Sequence, residues 1–123
     1  MILVDSCGWL EVFTDGPAAG TYSTLLAHPE ELLVPTVVLY EVYKLLARTA
    51  GEEAALRCSG FMQQARIVPL DAPLALEAAD LSTKKRLAMA DAIVYATAVR
   101  YRAELATSDS ELEGLPGVRF IAR

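Results

Sequence analysis

Histidine and cysteine are scarce in this chain. Among its 123 residues there are one histidine, His28, and two cysteines, Cys7 and Cys58. The cysteines form no CxxC motif and have no neighbouring histidine, which excludes a zinc site and a disulfide framework. A metal bound by this protein must therefore rely on oxygen ligands.

Long apolar runs and targeting signals are also missing. A membrane helix needs roughly 18 or more apolar residues, and the best candidate, residues 32–40, is shorter and contains Pro35. The first residues include an acidic one, Asp5, and lack the basic segment and small-residue cleavage site of a secretory signal. We therefore expect a cytoplasmic protein.

Basic residues are outnumbered by acidic ones, 11 to 16, which gives a formal net charge of −5. This balance argues against binding of nucleic acid through a broad basic surface, because such binding neutralises phosphates with Lys and Arg. It remains compatible with a nucleic-acid enzyme whose acidic residues gather where cations bind. The densest basic run, Lys84-Lys85-Arg86, is a candidate RNA contact, with a solvated loop as the alternative.

Apolar residues are abundant, at 54% of the chain with a mean hydropathy of +0.32. This composition excludes disorder of the whole chain. The length suits one domain, which we predict to span residues 1–123. The apolar excess leaves surface available to a partner protein.

Short apolar strands alternate with helices along the sequence, a pattern typical of an α/β domain with a parallel sheet. Functional side chains of such sheets lie beyond the carboxyl ends of the strands. We predict Thr36 as the cap of the helix that ends before Gly51. The predicted strands are 2–4, 32–35, 67–68, 104–107 and 118–121, and the other predicted helices include Trp9 to Phe13, 19–27, 52–65, 73–84, 89–101 and 108–113.

Two acidic residues follow the first two predicted strands. Asp5 ends the first strand, where a helix cap is the structural alternative to a functional role. Glu41 lies one helical turn beyond the second strand, where an ordinary ion pair with Lys44 is the alternative.

Two more acidic residues lie late in the chain. Asp91 shares its helical face with apolar residues and has no charged partner there, so a bound cation or a helix-terminus role is expected. Asp109 follows the strand that ends at Thr107, and Ser108 with Glu111 fits a capping box that would leave Asp109 a helix-dipole role.

Asp5, Glu41 and Asp109 each lie near the carboxyl end of a predicted strand and can converge, and such a cluster calls for a cation. Carboxylates within about 4 Å repel by a few kcal/mol per pair at an effective dielectric constant near 20. Oxygen ligands alone favour Mg²⁺ or Mn²⁺ over zinc. Such ions suit phosphodiester cleavage, because they activate water and stabilise charge that develops on phosphate oxygens.

Several neighbouring side chains have two interpretations each. Ser6 and Thr107 either orient water at the cation site or cap helices. Trp9 and Phe13 are core residues or anchors for a partner, with base-stacking platforms as the alternative. Cys7 has no histidine to activate it, so we expect a small buried side chain and not a nucleophile.

The four acids stand in segments that resemble the motifs of PIN-domain ribonucleases, specifically the VapC-type toxins of VapBC toxin–antitoxin systems. The resemblance spans nearly the full length and identifies Asp5, Glu41, Asp91 and Asp109 as the metal-binding and catalytic acids. One departure is Glu111, where the family often has a second Asp, which leaves open whether Glu111 assists. The segments are VDSCGWLE at 4–11, PTVVLYEV at 35–42, LAMADAIVYATA at 87–98 and ATSD at 106–109.

The resemblance implies a single PIN-like domain, with a twisted parallel sheet of four to five strands flanked by helices. It implies a Mg²⁺- or Mn²⁺-dependent endoribonuclease that cuts transfer or ribosomal RNA to a 5′-phosphate and a 3′-hydroxyl. It further implies a homodimer and a VapB-type antitoxin that blocks the site. The alternative is a non-catalytic PIN-like scaffold or binding module. A phosphatase is disfavoured, because Cys7 stands where its second Asp would be.

Overall fold

The strands assemble into one five-stranded parallel sheet in a computed structural model that describes residues 1–123. Its order is β3-β2-β1-β4-β5, and every neighbouring pair is parallel. The predicted α/β architecture is therefore confirmed. The strands are β1 Ile2–Val4, β2 Leu32–Pro35, β3 Arg66–Val68, β4 Glu104–Thr107 and β5 Val118–Phe120.

Six helices flank this sheet, and the final one has the predicted bounds. The predicted helix over 52–65 ends early, at Met62, because turns at Gln64 and Ala65 lead the chain into β3. The helices are α1 Ser6–Phe13, α2 Ala19–Leu25, α3 Thr36–Thr49, α4 Glu52–Met62, α5 Ala72–Lys85 and α6 Met89–Tyr101, with a short 3₁₀ turn at Pro29–Glu31.

Two local predictions are wrong. Thr36 does not cap α3: Pro35 holds the N-cap position with extended backbone, Thr36 is already helical, and no side chain caps this end. No helix forms over residues 108–113, where a turn covers residues 110–114. The Asp109 carboxylate accepts from the Glu111 N–H at 2.9 Å, which forms a local turn in place of the predicted capping box.

The core lies on both faces of the sheet. In the register, Leu3 of β1 pairs with Leu33 on one side and Leu105 on the other, and all three are fully buried. Continuous apolar strands are expected where helices cover both faces. Trp9 is 1% exposed and its ring packs against that of Phe13, so the core interpretation of Trp9 is confirmed.

No helix has the length and apolar character needed to cross a membrane.

Candidate active site

The strand order brings three predicted acids to one edge of the sheet. β1 lies between β2 and β4, so the carboxyl ends of these strands are adjacent. Asp5 follows β1 directly, Glu41 lies in the helix after β2, and Asp109 lies two residues beyond β4. Asp91 reaches the same edge from the first turn of α6.

Asp5, Asp91 and Asp109 form a compact acidic trio. Each offers a carboxylate oxygen, and these oxygens all lie within 4.8 Å of one another. Glu41 lies close enough for Asp5 and Asp109 to raise its pKa, although burial is the larger cause. None of the four acids forms an ion pair with a basic side chain.

Asp5 is held by two hydrogen bonds. One carboxylate oxygen accepts from the Ser6 N–H and the other from the Thr107 hydroxyl, both at 2.8 Å. The residue is the N-cap of α1 and only 6% exposed, so the capping role and membership of the trio coexist. Burial raises the pKa of Asp5 more than these hydrogen bonds lower it.

Thr107 links Asp5 to Asp109. Its hydroxyl donates to Asp5 and accepts from the Asp109 N–H at 3.0 Å. Its side chain is fully buried at the end of β4. From sequence, Thr107 is predicted either to cap a helix or to orient water. In the structure its side chain instead fixes Asp5 and Asp109 relative to each other.

The pKa of Asp91 is strongly raised. Burial first, and then repulsion from Asp109, Asp5 and Glu41, raise its pKa from 3.8 to about 7. A carboxylate in the first turn of a helix is normally stabilised by the helix dipole. Here burial and like charges outweigh that effect, so the helix-terminus role alone does not explain Asp91.

The alternative partner predicted for Glu41 is absent. The Lys44 amine turns instead to Tyr40, donating to its hydroxyl at 3.4 Å and lying 5.5 Å from its ring centre. Glu41 therefore has no basic partner and lies near the other acids. Burial and Asp5 raise its pKa, and a hydrogen bond from the Ser6 hydroxyl lowers it in part.

Tyr22 and Ser108 support the site and were missed from sequence. The buried Tyr22 hydroxyl lies 2.6 Å from the Ser108 hydroxyl, which ties α2 to the segment carrying Asp109. The Ser108 N–H donates to the Cys7 sulfur at 3.4 Å. Burial, and then Asp5, raise the pKa of Cys7, so its thiol stays protonated and a nucleophilic role is disfavoured. No local sequence pattern indicates the contact between Tyr22 and Ser108, because the two residues are far apart in the sequence.

Other charged candidates lie outside the trio. Glu111 is exposed, and its backbone N–H, not its carboxylate, contacts Asp109. Lys84 and Lys85 are exposed at the end of α5, and Arg86 caps that helix in the left-handed conformation. Glu11 is buried but structural, since it accepts from the Ala18 N–H at 2.9 Å and pairs with the C-terminal residue Arg123.

The trio fits a hard divalent cation. All of its donors are carboxylate oxygens, and both free cysteines lie outside it. Burial first, and then repulsion between the carboxylates, raises the pKa of Asp5 and Asp91 when no positive charge lies nearby. Bound Mg²⁺ or Mn²⁺ would remove that repulsion, and both ions prefer oxygen ligands.

Comparisons with known proteins agree with this architecture. The profile of the PIN domain family matches residues 2–118. A search of curated protein sequences gave no significant match.

Many solved structures, including the three that follow, are similar to this chain. A toxin–antitoxin complex from Klebsiella pneumoniae aligns with a TM-score of 0.83 and 24% identity, over 97% of this chain and 96% of that one. Mycobacterium tuberculosis VapC20, described as a sarcin–ricin loop cleaving toxin, gives 0.77 and 22%, over 97% and 99%. VapBC2 from Rickettsia felis, bound to a promoter DNA fragment, gives 0.75 and 15%, over 99% and 98%. At these identities the likeness establishes the fold.

Proposed function

The chain belongs to the PIN domain family, and we propose that it is a metal-dependent endoribonuclease acting as the toxin of a type II toxin–antitoxin pair. One observation carries the proposal: Asp5, Asp91 and Asp109 present oxygens within 4.8 Å of one another without a basic partner. Such an arrangement is costly unless a cation is bound. It is therefore better explained by function than by stability.

In this proposal Asp5, Glu41, Asp91 and Asp109 hold Mg²⁺ or Mn²⁺. When bound, the cation activates water and balances charge developing on phosphate oxygens. Ser6 and Thr107 fix both oxygens of Asp5 before substrate arrives, which limits the reorganisation needed during the reaction. Water adds to phosphorus and the 3′ oxygen leaves with a proton, so the products are a 5′-phosphate and a 3′-hydroxyl.

A VapB-type antitoxin and a second copy of this chain are the proposed protein partners. Support comes from the similar structures, two of which contain toxin–antitoxin assemblies. Large exposed apolar side chains also offer contact area. They include Leu56, Phe61, Leu70, Leu76, Met89 and Val99. The proposed substrate is transfer or ribosomal RNA, and the proposed location is the cytoplasm.

The test is cleavage of total cellular RNA by the purified chain. We expect cleavage with Mg²⁺ or Mn²⁺, none in EDTA, and loss of at least about 100-fold in rate for Asp5→Asn or Asp91→Asn. Asp80→Asn is the matched control, because Asp80 is exposed on α5 and has no ion pair.

Two results would contradict the proposal. Wild-type cleavage at full rate in EDTA would exclude the metal mechanism. A complete lack of cleavage by antitoxin-free protein with either ion would favour the non-catalytic scaffold.

A further inference from the structure

One exposed face of α3 carries aromatic and basic side chains beside Glu41, one of the four acids of the proposed site. We propose that this α3 ridge, defined as Tyr40, Lys44 and Arg48, binds single-stranded RNA next to the cleavage site. Phosphates contact Lys44 and Arg48, and a base stacks on Tyr40. The inference rests on the proposed nuclease function and adds to it the surface that holds the substrate.

The three side chains share one helical face. They are spaced four residues apart within α3, which places them in a row along the helix. Tyr40 is 60% exposed, and Lys44 and Arg48 are exposed as well. With Tyr43 and Ala47 they line a shallow depression of about 700 Å³. The side chains of the α3 ridge therefore line a shallow depression that is open to solvent.

The two cations of the ridge are not paired with carboxylates. Of the eleven basic residues only Arg57, Arg100 and Arg123 form ion pairs, so Lys44 and Arg48 belong to the larger group that forms none. Lys44 instead lies 5.5 Å from the Tyr40 ring centre. An aromatic ring beside unpaired cations is the combination that binds single-stranded nucleic acid, through base stacking and phosphate contacts.

The ridge is continuous with the acidic edge. A second cavity of about 290 Å³ is lined by Glu41 together with Tyr40, Lys44, Leu45 and Arg48. Glu41 is one of the four acids around the proposed cation site. An RNA chain that lies along the ridge therefore passes directly from the basic side chains to the residues proposed to cut it.

The local charge of the α3 ridge matches the phosphates of RNA, although the chain as a whole is acidic. The chain carries a net charge of −5, so RNA is repelled at long range and needs local positive contacts near the site. Lys44 and Arg48 supply such contacts without a competing carboxylate. A protein partner bound at the ridge is an alternative that the experiment below separates from RNA.

The experiment measures binding of a fluorescent single-stranded RNA oligonucleotide by anisotropy, with Ca²⁺ replacing Mg²⁺ to prevent cleavage. We expect Lys44→Ala/Arg48→Ala to raise Kd about tenfold or more, and to reduce the slope of log Kd against log salt by about 1.4, or about 0.7 for each phosphate contact. Tyr40→Ala is expected to raise Kd without changing that slope.

Arg102→Ala/Arg119→Ala is the matched control. It removes the same charge from two exposed arginines without an ion pair, one after α6 and one in β5. We expect its Kd for RNA to stay within about twofold of wild type, since these arginines lie outside the ridge. Thermal unfolding checks that every variant is folded, and exposure of all five side chains predicts that it is.

The outcomes separate the ridge from the proposed nuclease function. The ridge proposal is overturned if wild type fails to bind RNA, if the ridge variants bind like wild type, or if the control loses as much affinity. Weaker binding of a protein partner with unchanged RNA affinity overturns it too. Hydrolysis of bis(4-nitrophenyl) phosphate by wild type with Mn²⁺ tests the nuclease function separately, because this small diester does not span the ridge.

Discussion

At the scale of single residues, the Thr107 hydroxyl forms hydrogen bonds to two acids of the site. It donates to Asp5 and accepts from the Asp109 N–H, at 2.8 and 3.0 Å. Side chains that orient metal ligands in this way affect metal affinity, typically by 10- to 100-fold. Thr107 is therefore a positioning residue for the proposed cation.

We predict that Thr107→Val lowers Mn²⁺ affinity by about tenfold or more and that Thr107→Ser restores it. Thr97→Val is the matched control, because Thr97 is also fully buried and its hydroxyl donates to the Ile93 carbonyl within α6. Titration calorimetry measures the affinities. Equal Mn²⁺ affinity for Thr107→Val and Thr97→Val would show that Thr107 is only structural.

The raised pKa of Asp91 determines how we expect the stability of the metal-free protein to depend on pH. Burial and neighbouring carboxylates raise its pKa from 3.8 to about 7 in the folded state, so the folded chain retains a proton that the unfolded chain releases. This contribution is fully present below about pH 4 and is lost as the pH rises to about 7. The raised pKa values of Asp5 and Glu41 act in the same direction.

The prediction is that the Tm of metal-free wild type falls more steeply than that of Asp91→Asn between pH 4 and pH 7. Saturating Mg²⁺ should raise the wild-type Tm most at the upper end of this range, because binding stabilises the folded state and the acids are then ionised. Thermal unfolding in EDTA and in Mg²⁺ measures both effects. Parallel pH curves for the two proteins would refute the assignment of this pH dependence to Asp91.

At the scale of secondary-structure elements, helix α2 acts as a support for the segment that carries Asp109. Its buried Tyr22 hydroxyl lies 2.6 Å from the Ser108 hydroxyl. The other end of the same segment is held by the Tyr95 hydroxyl, which donates to the Pro116 carbonyl at 2.9 Å. Only the Ser108 end adjoins the acidic trio.

We predict that Tyr22→Phe and Tyr95→Phe each lower the free energy of unfolding by about 1 kcal/mol, because each loses one hydrogen bond. Only Tyr22→Phe should also weaken Mn²⁺ binding, since it releases Ser108 beside Asp109. Denaturant unfolding and Mn²⁺ titration test the two statements. A similar loss of Mn²⁺ affinity in both variants would mean that any loosening of this segment disturbs the site.

The elements that were predicted correctly are those whose patterns are local. β1, β2 and β4 are short apolar runs bounded by polar residues or Pro, and α6 has an apolar pattern over its whole length. The segment after β4 was predicted wrongly because Asp109 bonds its own backbone neighbour, while Ser108 contacts a residue of α2. Neither competing interaction is visible in a local pattern.

At the scale of the whole molecule, the sheet order accounts for the site. Placing β1 between β2 and β4 brings together acids that are distant in sequence. The four acids were predicted from sequence, but the Thr107 link and the Tyr22 support depend on side-chain directions across the folded chain. The orientation of Lys44 was also not predictable, because Glu41 and Tyr40 are both within reach on the helix.

Charge is distributed unevenly over the molecule despite its acidic total. Three of the arginines are paired with carboxylates, and the cations of the α3 ridge remain free beside Glu41. An acidic protein can therefore hold RNA through a small surface, provided that a cation neutralises the trio. Binding and cleavage of RNA in this proposal both depend on a cation at the trio.

Mn²⁺ binding, followed by electron paramagnetic resonance, tests this requirement without depending on the choice of RNA. The account predicts that wild type and the control Asp80→Asn bind Mn²⁺ with the same affinity, and that Asp91→Asn binds about tenfold more weakly or worse. Equal Mn²⁺ affinity in wild type and Asp91→Asn, or no binding by wild type, would contradict it.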